Sequence, residues 1–473
     1  MVAYNQTKIV CTVGPATESK EMMQALIEAG MDAMRLNFSH STHAEHKARL
    51  DTLRTLNKEL GTTVAALVDT RGPEIRTHTF EGGQAHIHVG QKVAIHMNEI
   101  VGNNDQFSVT YPNLINDVHI GGVIVVDDGY LSLKVESVDK EKQIIHTISY
   151  NTHRIRDRRG INVPGMVLNL EYLSEKDIAD IRWACVNDVD YLAASFVRRK
   201  DDVLAIKAIL DECENTNIQI IAKIENREGV NNIDEIIDVA DGVMIARGDL
   251  GVEVDAEEVP VIQKMIIKKA HRAGKITITA TQMLESMQEH PRPTRAEVSD
   301  VANAILDGTD AVMLSGESAI GKYPIETVNV MHRIGRRLER EINREQFIVR
   351  DEHQKDIASN VALSVAYAVL QGQAEIVIAP TISGNTARLL SKNRPNTTIL
   401  ALVPDERKAR SLMLNHAVFP KVVELGTDTE ALILSSLELV KREGFVKAGD
   451  RAIVTGGFPL GTATNSLRIL DIY

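Results

Sequence analysis

The chain has 473 residues, of which 44% are hydrophobic and 25% charged, a composition typical of a folded protein of about three domains. Its 53 lysines and arginines against 65 aspartates and glutamates give a net charge of -12, which argues against a general binder of nucleic acids or membrane surfaces but permits an anionic substrate. Three cysteines without paired spacing, Cys11, Cys185 and Cys213, and the lack of a signal peptide or long apolar span predict a cytoplasmic protein without disulfides or zinc.

Eight apolar runs of strand length recur along the chain, and each is followed by an amphipathic helical stretch. Strands without polar alternation are buried on both faces, and strands that alternate with helices form a parallel sheet. Eight such units predict an α/β fold, a closed (β/α)8 TIM barrel. The runs are 8–14, 33–39, 64–70, 191–197, 218–224, 242–248, 276–282 and 311–317.

The connection between the third and fourth runs is much longer than one helix requires. Polar and apolar residues alternate there in five stretches, with Gly82-Gly83 and Asp128-Gly129 as turns. This pattern predicts a small inserted β-barrel domain on the catalytic face, placed to act as a lid that excludes water. The stretches are 85–95, 106–111, 123–126, 131–138 and 143–148.

Helix caps support the later barrel units. Ser174 with Asp177, and Thr294 with Glu297, have the spacing of a capping box in front of an apolar stripe. Gly308 stands where a C-terminal cap belongs. We therefore expect a helix after each of these boxes.

A different pattern begins after about residue 341. A helix at 361–371 and strands at 375–379, 398–403, 421–425, 451–456 and 466–472 predict a separate α/β domain. The loop 381–386 joins its first strand to a helix, and small hydroxyl residues and glycine there suit an anion, although an ordinary helix cap explains them equally well. The predicted domains are a barrel (1–71 and 170–342), a lid (72–169) and a C-terminal regulatory domain (343–473).

Polar residues end the predicted barrel strands, where such barrels build their active sites. Lys223 and Glu225 end the fifth strand, and Arg247 and Asp249 the sixth. Magnesium takes one or two carboxylates and an anionic substrate, and a nearby ammonium neutralises charge on a phosphoryl group or an enolate. One pair alone is better explained as a structural ion pair, but several at one barrel mouth favour a metal-assisted site. The other strand-end residues are Arg35, Asn37, Ser39, Asp69, Thr70, Ser195, Thr281, Gln282, Ser315 and Glu317.

Two sets of histidines and one basic run are open to more than one interpretation. The histidines at 40, 43 and 46 and those at 86 and 88 lack a third convergent ligand, so a structural role is favoured over a metal site. The basic run 154–159 reads by default as a solvated loop. It also returns the lid to the barrel, where it could meet nucleotide phosphates.

Nine sequence blocks, in this order, resemble the pyruvate kinase family over essentially the whole chain. The resemblance implies the transfer of a phosphoryl group from phosphoenolpyruvate to ADP, giving pyruvate and ATP in glycolysis. The blocks are TKIVCTVGP (7–15), MRLNFSH (34–40), DTRGPEIRT (69–77), ASF (194–196), IAKIEN (221–226), ARGDLG (246–251), ATQM (280–283), PRPTRAE (291–297) and LSGE (314–317).

The resemblance also implies roles for individual residues. Magnesium, for which manganese can substitute, would bind Glu225 and Asp249, while Lys223 would stabilise the phosphoryl group and the enolate. The potassium ligands would be Asn37, Ser39, Asp69 and Thr70. The substrate residues would be Arg35, Ser195 and Thr281, with the amides of Arg247, Gly248 and Asp249 at the carboxylate and with Ser315 and Glu317 in a proton-supplying network.

The nucleotide and the effector would have their own residues. Nucleotide contacts fall on Asn37, His40, Arg76 and Arg159. A phosphorylated effector would bind Thr381, Ser383, Gly384, Asn385 and Thr386, with help from the loop 456–461. The resemblance further implies a homotetramer, with neither nucleic acid nor membrane as a partner.

Some positions depart from the family pattern. Arg159 stands in a return segment that usually has glycines and a lysine, Asn385 replaces a bulkier or basic residue, and Ala417 replaces a glycine. Glu74 matches members that require potassium, since independent members carry lysine there. Two rival functions are a magnesium-dependent aldolase or lyase, which would not need the lid or Lys223, and a silent phosphate sensor, which would have lost Lys223 or Glu225.

Overall fold

The computed structural model describes residues 5–215, 217–339, 341–348, 356–426 and 428–473. The expected domains also contain residues 1–4, 216, 340, 349–355 and 427, which lie outside the described residues. The first elements are β1 (Lys8–Thr12), α1 (Lys20–Ala29), β2 (Ala33–Asn37), α2 (His43–Leu60) and β3 (Ala65–Asp69).

A mostly β insertion follows β3. Its elements are β4 (Ile75–Arg76), a 3-10 turn (Glu81–Gly83), β5 (Gln84–Ile87), β6 (Lys92–His96), β7 (Gln106–Ser108), α3 (Leu114–Asp117), β8 (Val123–Val126), β9 (Leu131–Asp139), β10 (Ile144–Ser149), β11 (His153–Arg156) and β12 (Gly160–Asn162). They form a seven-stranded sheet in the order β4-β12-β8-β9-β10-β6-β7 and a two-stranded sheet of β11 and β5. The inserted β-domain is thus a half-barrel.

The predicted strand 85–95 is two strands. Gly90 has a φ of +79°, a left-handed conformation that breaks the extended chain between β5 and β6. The two halves then pair with different partners, β5 with β11 and β6 with β10. The alternation of polar and apolar residues continues through Gly90, so the sequence pattern did not indicate the break.

The barrel resumes after the insertion. Its remaining elements are α4 (Glu175–Val186), β13 (Tyr191–Ala194), α5 (Lys200–Glu212), β14 (Gln219–Ile224), α6 (Arg227–Asn231), α7 (Ile233–Val239), β15 (Gly242–Ala246), α8 (Arg247–Glu253), α9 (Val259–Ala273), β16 (Ile276–Ala280), a 3-10 turn (Glu285–Gln288), α10 (Arg295–Asp307), β17 (Ala311–Leu314), α11 (Gly316–Ala319) and α12 (Pro324–Leu338). Eight parallel strands close in the order β1-β17-β16-β15-β14-β13-β3-β2, which confirms the predicted barrel.

Local sequence explains how these helices begin and end. The capping boxes of Ser174 with Asp177 and of Thr294 with Glu297 are both formed, at the starts of α4 and α10. Gly308 caps the end of α10 with a φ of 96°. The predicted helix boundaries are therefore confirmed at these positions.

The C-terminal part is a separate α/β unit that follows a 3-10 turn (Arg344–Phe347). Its elements are α13 (Ile357–Leu370), β18 (Ile376–Pro380), α14 (Asn385–Lys392), β19 (Thr398–Val403), α15 (Glu406–Arg410), β20 (Val418–Val422), α16 (Thr429–Arg442), β21 (Arg451–Gly456) and β22 (Ser466–Asp471). The sheet order is β20-β19-β18-β21-β22, with β22 antiparallel. No helix in the described part of the chain is long and apolar enough to span a membrane.

The strand predicted at 421–425 lies three residues earlier, at Val418–Val422. Val418 is fully buried and pairs in parallel with Ile399, which fixes the register of β20 against β19. Val423 already lies past the end of the strand. Tertiary pairing, rather than the local apolar run, therefore sets this boundary.

Buried ion pairs join the C-terminal unit to the barrel. Arg394 is 2% exposed, and its Nη1 lies 2.6 Å from Asp310 Oδ1 at the start of β17. Arg410 Nε lies 2.8 Å from Asp190 Oδ1 at the start of β13. These contacts lie at the N-terminal ends of the barrel strands, opposite the strand ends that carry the candidate site.

Candidate active site

Lys223 is the centre of a buried polar network at the mouth of the barrel. Its Nζ lies 3.0 Å from Asp69 Oδ1, 3.0 Å from Glu225 Oε1 and 2.7 Å from Ser195 Oγ. Asp69 Oδ2 also accepts a 2.6 Å hydrogen bond from Arg35 Nε. The ends of β2, β3, β13 and β14 therefore bring five of the predicted site residues into one connected group.

Burial and charge act against each other in this network. Burial would lower the pKa of Lys223, but Asp69 and Glu225 outweigh it, so the pKa is raised and the ammonium is retained. Burial would raise the pKa of Asp69, and the nearby Arg35 and Lys223 lower it instead. The site thus holds a fixed positive charge where water is excluded, and an electrostatic contact is strongest there.

Glu225 is the exception, because burial and then the nearby Asp249 raise its pKa despite Lys223. Its carboxylate is 1% exposed and accepts a 2.6 Å hydrogen bond from the Phe196 amide. Two neighbouring carboxylates, Glu225 and Asp249, form a donor set suited to a hard divalent cation. No group of three or more His, Cys, Asp or Glu side chains in the described residues could hold a metal. A cation held by this pair alone would need oxygens from the substrate and from water for its other positions.

Thr281 and Gln282 leave the end of β16 in left-handed conformations, with φ of +67° and +53°. A β-branched residue is rarely found there, and such strain is concentrated at functional sites. Thr281 Oγ1 accepts a 2.7 Å hydrogen bond from the Gly248 amide and donates one of 2.6 Å to the Ala280 carbonyl. The strained turn therefore ties the end of β16 to the start of α8, beside Asp249.

The Arg247 side chain does not face the network around Lys223. Its guanidinium lies 2.7 Å from Asp300 and donates to the carbonyls of Thr281 and Gln282 at 2.8 and 3.1 Å. It thus holds the strained turn from behind. Only the backbone of Arg247 is left for the carboxylate role that the resemblance implies.

Glu317 is fully buried, and both of its oxygens accept backbone hydrogen bonds. The donors are the Leu284 amide at 3.2 Å and the Ser315 amide at 2.8 Å. The hydroxyl of Ser315 is buried and has no hydrogen-bond partner among the described residues. Glu317 therefore acts here as a support for two loops, and the free hydroxyl beside it belongs to Ser315.

The four residues expected at potassium lie at the ends of two adjacent strands. Asn37 and Asp69 are paired across β2 and β3, and Ser39 and Thr70 follow them. Asn37 Oδ1 accepts from the Ser39 amide at 3.1 Å, while the Thr70 carbonyl accepts from Ser195 Oγ at 2.6 Å. This set of hard oxygen donors suits a weakly hydrated monovalent cation, although Asp69 is shared with Arg35 and Lys223.

The predicted nucleotide residues are less closely grouped. Arg76 in β4 binds Glu74 at 2.8 Å and the Arg158 carbonyl at 2.8 Å, while Arg159 pairs with Asp127 at 3.5 Å. Arg76 pairs with Gly160 across β4 and β12, so Arg76 and Arg159 lie together at the base of the lid. Among the described residues, no hydrogen bond or ion pair joins His40 to either arginine.

The lid contacts the barrel beside Asp249. Asn162 Nδ2 donates a 2.9 Å hydrogen bond to Glu253 Oε1, four residues after Asp249 in α8. A cavity of about 210 Å³ lies between lid and barrel, with Glu74, Asp128 and Asp249 in its wall. The insertion therefore covers one side of the barrel mouth.

Two supporting residues were missed at the sequence level. Thr12 Oγ1 accepts a 2.9 Å hydrogen bond from Arg35 Nη1, but the first apolar run was extended past Thr12 to residue 14. Asp300 lies on α10, where the sequence shows only an exposed polar position. Thr12 would have been included among the strand-end residues if the first strand had been predicted to end at Thr12, as β1 does.

Two of the histidines contact other side chains of the barrel. His43 Nε2 lies 2.7 Å from Asp180 Oδ1, and the His46 ring stacks on Phe38 at 4.2 Å. His86 and His88 lie 4.3 Å apart on the lid. His43 and His46 therefore pack within the barrel.

The loop 381–386 belongs to the C-terminal unit and not to the network around Lys223. Thr381 Oγ1 accepts from the Gly384 amide at 3.0 Å, and Thr386 Oγ1 shares a 2.8 Å hydrogen bond with Thr464 Oγ1. Ser383 is exposed. The loop 381–386 is thus closed by its own hydroxyls and lies beside the segment that follows β21.

The sequence and the fold have close counterparts among known proteins. The family model "Pyruvate kinase, barrel domain" matches residues 4–328, and "Pyruvate kinase, alpha/beta domain" matches residues 359–470. A pyruvate kinase from Sporosarcina psychrophila is 47% identical over 98% of this chain and 80% of the relative, and one from Geobacillus stearothermophilus is 48% identical over 99% and 80%. A crystal structure of a pyruvate kinase from Cryptosporidium parvum superposes with a TM-score of 0.94 at 38% identity, covering 99% of this chain and 96% of that one. The chain therefore belongs to the pyruvate kinase family and is a phosphotransferase.

Proposed function

We propose that the protein transfers the phosphoryl group of phosphoenolpyruvate to ADP, giving pyruvate and ATP in glycolysis. The observation that carries the proposal is the buried ammonium of Lys223, held between Asp69 and Glu225 and beside Asp249. Such an ammonium is suited to charge that develops during reaction, because it needs no reorganisation and acts where water is excluded.

Each residue has a distinct task in this proposal. Lys223 stabilises the phosphoryl group in transfer and then the enolate oxygen, and Arg35 contacts the phosphate. When bound at Glu225 and Asp249, magnesium supplies Lewis-acid stabilisation of the substrate oxygens. In this proposal the Thr281 hydroxyl protonates the enolate. The Ser315 hydroxyl, which has no hydrogen-bond partner among the described residues, extends the proton path. Glu317 positions Ser315 through the amide that it accepts.

The larger organisation is part of the proposal. Residues 1–71 and 170–342 form the catalytic barrel, 72–169 the lid and 343–473 a regulatory domain. Arg76 and Arg159 at the base of the lid serve the nucleotide phosphates, together with His40 and Asn37. The functional unit is a homotetramer in the cytoplasm.

A coupled assay of pyruvate formation tests the reaction. We expect pyruvate and ATP to form in equal amounts from phosphoenolpyruvate and ADP with magnesium and potassium present, and no pyruvate to form without ADP. Pyruvate formed without ADP would instead favour the aldolase or lyase alternative on the same barrel.

We predict that the protein requires potassium. Replacing potassium with tetramethylammonium should lower turnover by about tenfold or more, because the oxygen donors of Asn37, Ser39, Asp69 and Thr70 lose a cation beside the substrate phosphate. Glu74→Lys should relieve the requirement by placing an ammonium near the ion's position. The measurement is steady-state turnover with and without potassium.

Glu74→Gln is the matched control for this prediction. Glu74 binds Arg76 at 2.8 Å and Arg71 at 3.5 Å, so both substitutions break the same contacts but only lysine supplies a charge. Glu74→Gln should remain dependent on potassium. Full turnover of the unsubstituted protein in tetramethylammonium would contradict the assignment.

The next prediction concerns regulation by the loop 381–386. We propose that this loop binds a phosphorylated effector and controls phosphoenolpyruvate affinity, since it presents a helix N-terminus to an anion and is far in sequence from any catalytic residue. A bulky acidic side chain can be introduced without disturbing the fold only at an exposed position. Thr386 is unsuitable, because it is 6% exposed and forms a hydrogen bond with Thr464. The test therefore uses Ser383→Glu alone.

Ser383→Glu should remove activation by sugar phosphates or AMP and leave basal turnover unchanged, since a carboxylate repels the effector phosphate. Coupling must be reciprocal, so phosphoenolpyruvate should tighten effector binding by the same factor that the effector tightens phosphoenolpyruvate. If calorimetry with these probes detects no binding that Ser383→Glu removes, the loop is only a helix cap.

A further inference from the structure

Two of the three cysteines meet where two neighbouring barrel helices end. Cys185 lies in the last turn of α4, and Cys213 directly follows the last residue of α5. A hydrogen bond joins their two side chains. Both are free thiols, of which Cys185 is buried and Cys213 is partly exposed. The pair is invisible in the spacing of the sequence, because the packing of α4 against α5 creates it.

Two further contacts hold the ends of these helices together around the pair. Asn215 is 8% exposed, and its Nδ2 donates a 2.8 Å hydrogen bond to the Cys185 carbonyl. On the other side, Arg182 Nη2 of α4 lies 3.3 Å from Oε2 of Glu212, the residue before Cys213. The two thiols are therefore held next to each other by contacts on either side of them.

The cysteine pair lies away from the candidate active site. The helices α4 and α5 lead into β13 and β14, so their last residues lie at the N-terminal ends of these strands. Lys223 lies near the opposite end of β14. A bond between the two sulfur atoms would enclose β13 and α5 and would lie at the end of the barrel opposite to Lys223.

The two thiols differ in reactivity. Burial, and then the hydrogen bond with Cys213, raise the pKa of Cys185, so this thiol is neutral at neutral pH. An oxidant must also reach the sulfur, and Cys213 is the more exposed of the two. Both cysteines lie at the C-terminal end of a helix, where the helix dipole disfavours a thiolate. The pair therefore stays reduced until an oxidant is in excess, and Cys213 then reacts first.

We propose that Cys185 and Cys213 close to a reversible disulfide when the protein meets hydrogen peroxide. The Cys213 sulfur attacks one peroxide oxygen, so an S–O bond forms, the O–O bond breaks and the other oxygen leaves as water. The Cys185 sulfur then displaces the hydroxyl of this sulfenic acid as a second water, and the S–S bond forms. The two thiols lose two electrons, which the peroxide gains, and their two protons end on the two waters.

The contact between the two thiols decides what happens to Cys213. A neutral thiol is a slow nucleophile, but a neighbour that is held in place reacts as if it were highly concentrated. A sulfenic acid with no thiol beside it is oxidised further to a sulfinic acid, which dithiothreitol does not reduce. Capture by Cys185 therefore keeps the oxidation of Cys213 reversible.

Peptide mass spectrometry tests the pair in the full-length protein. The reduced protein is treated with excess hydrogen peroxide, and the remaining thiols are alkylated after denaturation. Trypsin places the two cysteines on separate peptides, 183–198 and 208–223. We expect these peptides to become linked, and dithiothreitol to separate them again. Cys11, which is fully buried in β1, should remain a thiol and serves as the internal control.

Three variants separate the roles of the cysteines. In Cys185→Ser, Cys213 should gain two oxygen atoms as a sulfinic acid that dithiothreitol does not reverse. Cys213→Ser changes the more exposed position and should leave Cys185 as a free thiol. Cys11→Ala is the matched control and should still form the linked peptides. Unchanged urea midpoints show that the variants are folded.

Three results would overturn the proposal. One is alkylation of both Cys185 and Cys213 after the peroxide treatment. Another is equal oxidation of Cys213 to a sulfinic acid in the unsubstituted protein and in Cys185→Ser. The third is a disulfide between the Cys213 residues of two copies, which a non-reducing gel would show as a linked dimer.

Discussion

Replacing Lys223 with methionine should lower turnover by about a hundredfold or more and leave the binding of phosphoenolpyruvate and of a divalent cation largely intact. The ammonium is held at 3.0 Å from both Asp69 and Glu225, so it is already in place before charge develops. A group whose interaction strengthens only in the transition state affects kcat more than ground-state binding. Steady-state kinetics of pyruvate formation, together with calorimetry of phosphoenolpyruvate in the presence of manganese, measures both quantities.

The fold should survive this substitution. Asp69 keeps its 2.6 Å contact with Arg35, and Glu225 keeps the 2.6 Å hydrogen bond from the Phe196 amide. Lys269→Met is the matched control, because it removes a barrel lysine that pairs with Asp234 at the surface. Its turnover should be unchanged. A loss of less than tenfold in Lys223→Met would remove Lys223 from the catalytic role.

Residues that end a buried strand were predictable from the sequence. Lys223 and Glu225 follow a fully apolar run, and the parallel barrel brings such ends together whatever the loops do. The orientation of a side chain was not predictable in the same way. Arg247 also follows a barrel strand, yet it turns back to Asp300 and to the carbonyls of Thr281 and Gln282. The orientation of the Arg247 side chain depends on Asp300, which is 53 residues away in the sequence.

Contacts between the barrel and the C-terminal unit could not be predicted from the sequence either, because the partners are distant from each other along the chain. Arg394 and Asp310 are 84 residues apart, and neither belongs to an apolar pattern or a motif. In the lid, the break at Gly90 was hidden because the alternating pattern is the same on both sides of it. Periodicity therefore predicts which face of an element is buried, while tertiary pairing decides its partners and its exact ends.

The second large expected effect is on stability, and it concerns the buried ion pair of Arg394 and Asp310. Arg394→Met should destabilise the protein by about 3 to 5 kcal/mol, because it leaves the Asp310 carboxylate buried without its cation. Asp310 still accepts hydrogen bonds from the Thr277 amide at 2.9 Å and the His416 amide at 3.2 Å, which favours the lower end of that range. The midpoint of urea unfolding, followed by far-UV circular dichroism, should fall by about 1 M or more.

A second measurement tests the charge itself. Burial, and then the neighbouring Arg394, lower the pKa of His271 to about 4. Removing the guanidinium should therefore raise the pKa of His271, as measured by NMR titration of its ring protons. A merely steric role for Arg394 would leave that pKa unchanged.

Glu443→Gln provides the matched control for the unfolding experiment. It breaks the partly exposed pair of Lys421 and Glu443, which are 2.9 Å apart in the same C-terminal unit. Pairs of this kind contribute about 0 to 1 kcal/mol, so the urea midpoint should move by less than about 0.5 M. Equal shifts in Arg394→Met and Glu443→Gln would mean that the buried pair does not hold the two units together. A large shift in Arg394→Met alone identifies burial, rather than charge pairing as such, as the source of the effect, since only a buried carboxylate cannot turn to water when its partner is lost.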